Sequence, residues 1–173
     1  TLPASLGEEK RHWYFYNCGA YTDLILPEGI STIDASAFST CDTLLSVALP
    51  NSLISIGARA FAGANSLASA SFPEGLISIG GWAFYGATSL ASVSFPEGLT
   101  SIGDYAFYGC NTLLSVALPS SLISIGAHAF AYATSLASVS FPEGLTTIGR
   151  QAFLETLLTE ADVTLPASLG EEK

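Results

Sequence analysis

The sequence predicts an α/β solenoid, a single domain over residues 1–173 in which short strands and turns wind through stacked coils of 23 residues. Three recurrences carry this expectation. Leu26, Leu49, Phe72, Phe95, Leu118 and Phe141 stand 23 positions apart, and a proline follows each. Twelve residues into each of these six units is a phenylalanine (Phe38, Phe61, Phe84, Phe107, Phe130 and Phe153), preceded every time by alanine. Seven residues in is an isoleucine, from Ile33 through to Ile148. A fixed period of this length marks a repeat array, each unit being one supersecondary element.

In chain order, residues 1–25 read as a degenerate first repeat. Phe15-Tyr16-Asn17-Cys18 through Leu26-Pro27 echoes Phe107-Tyr108-Gly109-Cys110 through Leu118-Pro119, with one residue inserted. Residues 26–153 form the six regular repeats, and 154–173 drift before Leu165-Pro166 opens another unit one position late. Within a unit, residues 44–49 have strand character, with Leu44, Val47 and Leu49 facing inward. A second strand spans 53–57, with Leu53 and Ile56 inward. The intervening proline ends pairing of the first strand without disturbing the second. Residues 58–62 lack β-branched side chains and follow Gly57, which predicts a helical or 3-10 turn.

The repeats stack for an energetic reason. Each unit offers about six apolar side chains at roughly 1.5–3 kcal/mol apiece when buried. Ordering its backbone costs about 1–2 kcal/mol per residue. One unit cannot fold alone, so neighbours must supply the strand ladders and covered faces. A longer period overlies the first: residues 41–80 and 110–149 agree at 32 of 40 positions, an offset of 69, as if a three-repeat block had been duplicated.

The pattern Leu-x-x-Val-x-Leu-Pro-x-x-Leu-x-x-Ile-Gly-x-x-Ala-Phe-x-x-Cys/Ala resembles the BspA-like, or Treponema-type, leucine-rich repeats, strongly over 26–153 and weakly at the ends. The resemblance implies a right-handed leucine-rich-repeat solenoid, with parallel strands on a concave side and short strands and helical or 3-10 turns on the other faces. It implies a surface or extracellular protein, since several members look like adhesins or host-interaction proteins. It carries no shared catalytic residues. This chain departs from the family pattern in placing Ala for Cys in three of six units.

Composition narrows the function classes. Mean hydropathy is +0.47, yet the recurring prolines leave no uninterrupted run of about 20 apolar residues, so no membrane insertion is expected. A net charge of −10 offers no basic patch to displace phosphate counterions, which argues against nucleic acid. Without an initiating Met or secretory leader, the chain reads as a mature product or an excised fragment.

No catalytic or cofactor constellation stands out. His12 and His128 fall far apart in the stack, and the serines lie in repeat rows rather than beside a His–Asp pair. An enzyme is therefore not expected, nor a cofactor or metal. Cys41 and Cys110 share one repeat position with Ala64, Ala87 and Ala133, the mark of a tight interior slot. Cys18 falls there too. As stacked neighbours, Cys18 and Cys41 leave a disulfide open, whereas Cys110 is three rungs away, roughly 14 Å at the usual strand spacing.

What remains for function is the variation between repeats. The position two before the repeat phenylalanine differs in all six units: Ser36, Arg59, Trp82, Tyr105, His128 and Gln151, with Trp13 in the degenerate unit. Tyr85, Tyr108 and Tyr16 follow their phenylalanines, and Tyr132 sits one further on. Two readings are open. The bland one makes this a position under no constraint, with its aromatics lying on a neighbour's surface. The sharper one makes Trp13, Arg59, Trp82, Tyr85, Tyr105, Tyr108, His128 and Tyr132 a binding face, since exposed Trp, Tyr and Arg in one patch are the composition of interaction hot spots.

The first-strand outward positions (Ser69, Ser71, Ser92, Ser94 and their equivalents) form an uncharged ladder with little reach. Glu28, Glu74, Glu97 and Glu143 make an acidic edge, read as solvated charge. Finally, Thr1–Lys10 recurs unchanged as Thr164–Lys173. The expected function is a non-catalytic binding or adhesion module for a protein or glycan. The alternative is a structural tandem unit of a fibre or sheath, self-associating end to end.

Overall fold

Every 23 residues the backbone returns to the same place, one strand spacing further along. The structure, a computed structural model, describes Cys18, residues 21–159 and residues 163–169. Two rows of parallel strands run through it. The first row is β1 (Asp23–Ile25), β3 (Ser46–Ala48), β5 (Ser69–Ser71), β7 (Ser92–Ser94), β9 (Ser115–Ala117) and β11 (Ser138–Ser140). The second is β2 (Thr32–Ile33), β4 (Ser55–Ile56), β6 (Ser78–Ile79), β8 (Ser101–Ile102), β10 (Ser124–Ile125) and β12 (Thr147–Ile148). Registers such as Leu24↔Val47 and Ile79↔Ile102 match equivalent residues of successive coils. The shorter second row forms one unbroken six-stranded sheet, while the first pairs two by two. Among the described residues no helix is long and apolar enough to cross a membrane.

The core is the repeat pattern made solid. Phe61, Phe84, Phe107 and Phe130 are fully buried and stack face to face along the solenoid axis, with centroids 5.2 Å apart. Phe72 and Phe95 meet this column edge-on, at 5.7 and 5.6 Å. Both arrangements are favourable for aromatic quadrupoles. Leu53, Leu76, Leu99, Leu122 and Leu145 fill the other side, all fully buried.

The segment 58–62 differs from the expected helical turn. In a 3-10 turn each amide would donate three residues back. Here only alternate amides do so: Ala60 to the Gly57 carbonyl and Ala62 to the Arg59 carbonyl. The others reach to the next coil, Arg59 N–H to the Gly81 carbonyl, Phe61 to Ala83 and Gly63 to Tyr85, at 2.7–2.9 Å. The backbone manages this by entering the left-handed region twice per coil, two residues before and two after the phenylalanine. The only 3-10 turn among the described residues is Ala167–Leu169.

One glycine row is dictated by close approach. A Cβ on Gly103 would lie 2.5 Å from the Gly81 amide nitrogen, and the equivalents Gly57, Gly80, Gly126 and Gly149 meet backbone just as closely. Since backbone cannot swing aside as a side chain can, Gly103→Ala is expected to cost about 1–3 kcal/mol by overpacking. Chemical denaturation checks it. An unchanged midpoint would mean that the coils can part there freely.

Candidate functional site

The varied position has one backbone conformation in every coil. All six of its residues adopt left-handed backbone, with φ of 61° at Ser36, 58° at Arg59, 57° at Trp82 and Tyr105, 55° at His128 and 56° at Gln151. A residue with a Cβ is strained there by about 1 kcal/mol or more, whereas glycine carries no steric penalty and only its larger loss of chain entropy. The second left-handed position of each coil follows that rule, using Gly63, Gly86 and Gly109 in three of six units. The varied position never uses glycine. Those three glycines were the one visible sequence signal of left-handed backbone, and they mark only the second site.

Rung-to-rung hydrogen bonds hold the column in register: Trp82 N–H to the Asp104 carbonyl at 2.8 Å, Tyr105 to Ala127 at 2.9 Å, and His128 to Arg150 at 3.0 Å. Its side chains consequently stack. The Arg59 guanidinium lies 5.1 Å from the Trp82 ring centroid. Trp82 stacks on Tyr105 at 5.0 Å and Tyr105 on His128 at 4.8 Å, with interplanar angles of 7° and 15°. A cation over an indole face and parallel ring pairs each add favourable energy.

A second file runs beside it. Tyr85 stacks on Tyr108 at 5.0 Å, and Tyr108 meets Tyr132 at 5.2 Å. Tyr132 rejoins the file although it sits one residue later in its repeat. Ala131 takes the preceding position and is fully buried, while Tyr132 occupies the left-handed position that holds glycine elsewhere. The two files touch at Tyr105–Tyr108, 5.7 Å apart. Arg59, Ala62, Trp82, Tyr85, Tyr105 and Tyr108 line a shallow groove there of about 440 Å³. Partial burial, then the neighbouring phenols of Tyr132, Tyr85 and Tyr105, hold the Tyr108 pKa above the ordinary tyrosine value.

The sequence-predicted residues Arg59, Trp82, Tyr85, Tyr105, Tyr108, His128 and Tyr132 thus form one contiguous surface. Trp13 and Tyr16 lie outside the described residues. Two members of the acidic column have hydrogen-bond partners in the next coil. Glu28 accepts hydrogen bonds from the backbone N–H groups of Asn51 and Ser52, at 3.0 and 3.3 Å. Glu97 accepts from the Ser120 N–H at 3.0 Å. Two of the carboxylates expected to be merely solvated, Glu28 and Glu97, therefore cap the turn of the next coil, which has Asn51 or Ser120 where the others have glutamate.

Cys18 and Cys41, left open by sequence, are joined by a disulfide across successive coils, their Cα atoms 4.8 Å apart. Cys110 occupies the predicted interior slot, where burial pushes its thiol pKa up to about 12. It is a neutral, inert packing residue at physiological pH.

Comparison with known proteins agrees with the architecture. The chain is similar to the leucine-rich repeat protein of Treponema pallidum: 30% identity over 82% of this chain and 79% of that one, with a TM-score of 0.73. It is also similar to a leucine-rich cell surface protein of Faecalibacterium prausnitzii, at 28% identity and TM-score 0.78. A leucine-rich repeat protein of Bacteroides ovatus gives 27% and 0.67. The chain covers 42% and 45% of the latter two, less than half of each. No curated protein matches. The sequence itself matches the BspA type leucine rich repeat region in six copies, over residues 10–111 and 56–171. With 23-residue coils, parallel strand rows and a stacked phenylalanine core all in the family's pattern, the chain belongs to the BspA-type leucine-rich repeat proteins.

Proposed function

We propose that this chain is a non-catalytic binding or adhesion module of a surface or extracellular protein, and that it reads its partner with the two aromatic files. One observation carries the reading. Six successive coils keep a side chain, four of them large, at a left-handed position where glycine would be cheaper. Stacking offsets part of that cost, yet the four middle coils also keep Arg59, Trp82, Tyr105 and His128 partly or fully exposed for contact. The Cys18–Cys41 disulfide supports an oxidising location, as does the description of the Faecalibacterium relative as a cell surface protein.

The test exploits the backbone. Replacing Trp82 and Tyr105 together with Gly removes both rims. Relief of left-handed strain, about 1 kcal/mol per site, offsets only part of what is lost, three ring contacts at roughly 0.5–1.5 kcal/mol each and the Arg59 cation–π contact. The variant should melt somewhat below wild type but stay folded at assay temperature, while losing its signal on immobilised protein and glycan panels. Wild-type signal retained by the variant would remove these files as the reader.

A second reading, a structural unit that stacks end to end, has its own support. Leu169 N–H donates to the Pro166 carbonyl at 3.1 Å, repeating the Leu145–Pro142 turn, and the Ser168 hydroxyl donates to the Leu145 carbonyl. Concentration-dependent growth in mass by light scattering would favour it, and a constant monomer mass would exclude it.

A further inference from the structure

Resting on the reading of the aromatic files as a partner surface, we propose that their groove takes a proline-rich segment in the polyproline II conformation, and that it does not take a glycan. The ring faces decide the first step. Sugars bind aromatic residues by laying C–H groups on an open ring face. Along the varied column both faces are taken up, Trp82 lying between Arg59 and Tyr105 and Tyr105 between Trp82 and His128. In the second file Tyr108 stacks on Tyr85 and is tilted 49° against Tyr132, while Tyr85 and Tyr132 each have a ring on one side only. Along the varied column a partner meets rims, and the one-sided rings of Tyr85 and Tyr132 stand at opposite ends of the second file, too far apart to make a continuous sugar platform.

Those rims are rich in donors: the indole N–H of Trp82, the phenols of Tyr85, Tyr105 and Tyr108, and the Arg59 guanidinium. Indole and guanidinium can only donate. A surface of this kind wants a ligand with free acceptors and few N–H groups of its own. A polyproline II helix is that ligand, since its carbonyls make no internal hydrogen bonds and proline has no N–H. Aromatic-lined grooves take such segments because the conformation is preformed and loses little entropy on docking.

Spacing agrees. One polyproline II turn advances about 9.3 Å over three residues. Ring centroids step by 4.8–5.2 Å along the files, so two rungs match one turn of the ligand. A peptide lying along the solenoid axis would present the same face to every second rung. An extended β-strand, with same-face residues about 6.6 Å apart by its rise, would fall out of step. Arg59, at one end of the groove, favours an acidic residue beside the prolines.

The experiment titrates the whole chain with decaproline, with a Gly/Ser decapeptide and with a β-1,4-linked glucose hexamer. Calorimetry and the Trp82 indole N–H resonance report binding, the latter assigned with Trp13→Phe. Saturable decaproline binding that shifts the Trp82 signal, with no response to the other two probes, is expected. Tyr105→Phe/Tyr108→Phe keeps both rings and removes two donors, so affinity should fall about thirtyfold, the worth of two ordinary hydrogen bonds. No decaproline binding, or binding indifferent to the two phenols, overturns the proposal. Hexamer binding that is lost in the Trp82→Gly/Tyr105→Gly variant also overturns it, while leaving the aromatic files as the reader.

Discussion

Phe107→Ala is expected to cost the fold about 3–5 kcal/mol, a large share of the roughly 5–15 kcal/mol that holds a domain together. The ring is fully buried. Phe84 and Phe130 stack on its two faces at 5.2 Å, and Phe95 meets its edge at 5.6 Å. Removing it opens a gap between three rings that are each pinned by their own coils. The coils cannot close over that gap, because the rung-to-rung hydrogen bonds of Phe107 to Ala129 and Phe84 to Ala106, both 2.7 Å, fix their separation.

Position along the stack supplies the control. Phe153 occupies the same repeat position, but it is only half-buried and stacks on Phe130 from one side. Phe153→Ala should cost clearly less. Stability in a repeat array is a sum of local and nearest-neighbour contributions. Phe107→Ala should therefore also broaden the denaturant transition, as the two halves begin to unfold separately. Urea denaturation of both variants checks this. Equal losses at the two sites would mean that the phenylalanine column is not a continuous core.

The core was legible because its determinant is one-dimensional. A residue that must face the axis in each coil recurs every 23 positions, so the columns of Phe84, Leu99 and Ile102 could be read by counting. The left-handed backbone was not legible at the varied position. There its usual marker, glycine, has been displaced by side chains that contact the neighbouring coil. Residues 58–62 misled for a related reason. Their composition suits a helical turn, but what decides their conformation is the carbonyl row of the next coil, at Gly81, Ala83 and Tyr85. Counting did bring Arg59, Trp82, Tyr105 and His128 into one column. It could not say that they stack on one another while staying half-buried or exposed, which depends on side-chain direction at a positive φ.

Reducing the Cys18–Cys41 disulfide should cost about 3 kcal/mol, the loop-closure value for a ring of this size, given a sequence separation of 23. The loss should fall on the first described coils, because the cross-link acts by restricting the unfolded chain between residues 18 and 41. The repeats provide an unusually clean control. Ala64, Ala87 and Ala133 fill the same interior slot elsewhere and are fully buried, so Cys18→Ala/Cys41→Ala removes the bond while keeping a side chain that the slot already accepts. Under oxidising conditions this variant should match reduced wild type, and added phosphine should not lower it further. Hydrogen exchange should place the change in the bonds that join the first two coils, Leu26 N–H to the Ala48 carbonyl and Leu45 N–H to the Thr22 carbonyl. Protection around Phe107 should stay as it was, because nearest-neighbour coupling fades over three coils. Equal melting of wild type with and without phosphine would show that the first coil needs no covalent fastening, and would withdraw the disulfide as support for an oxidising location.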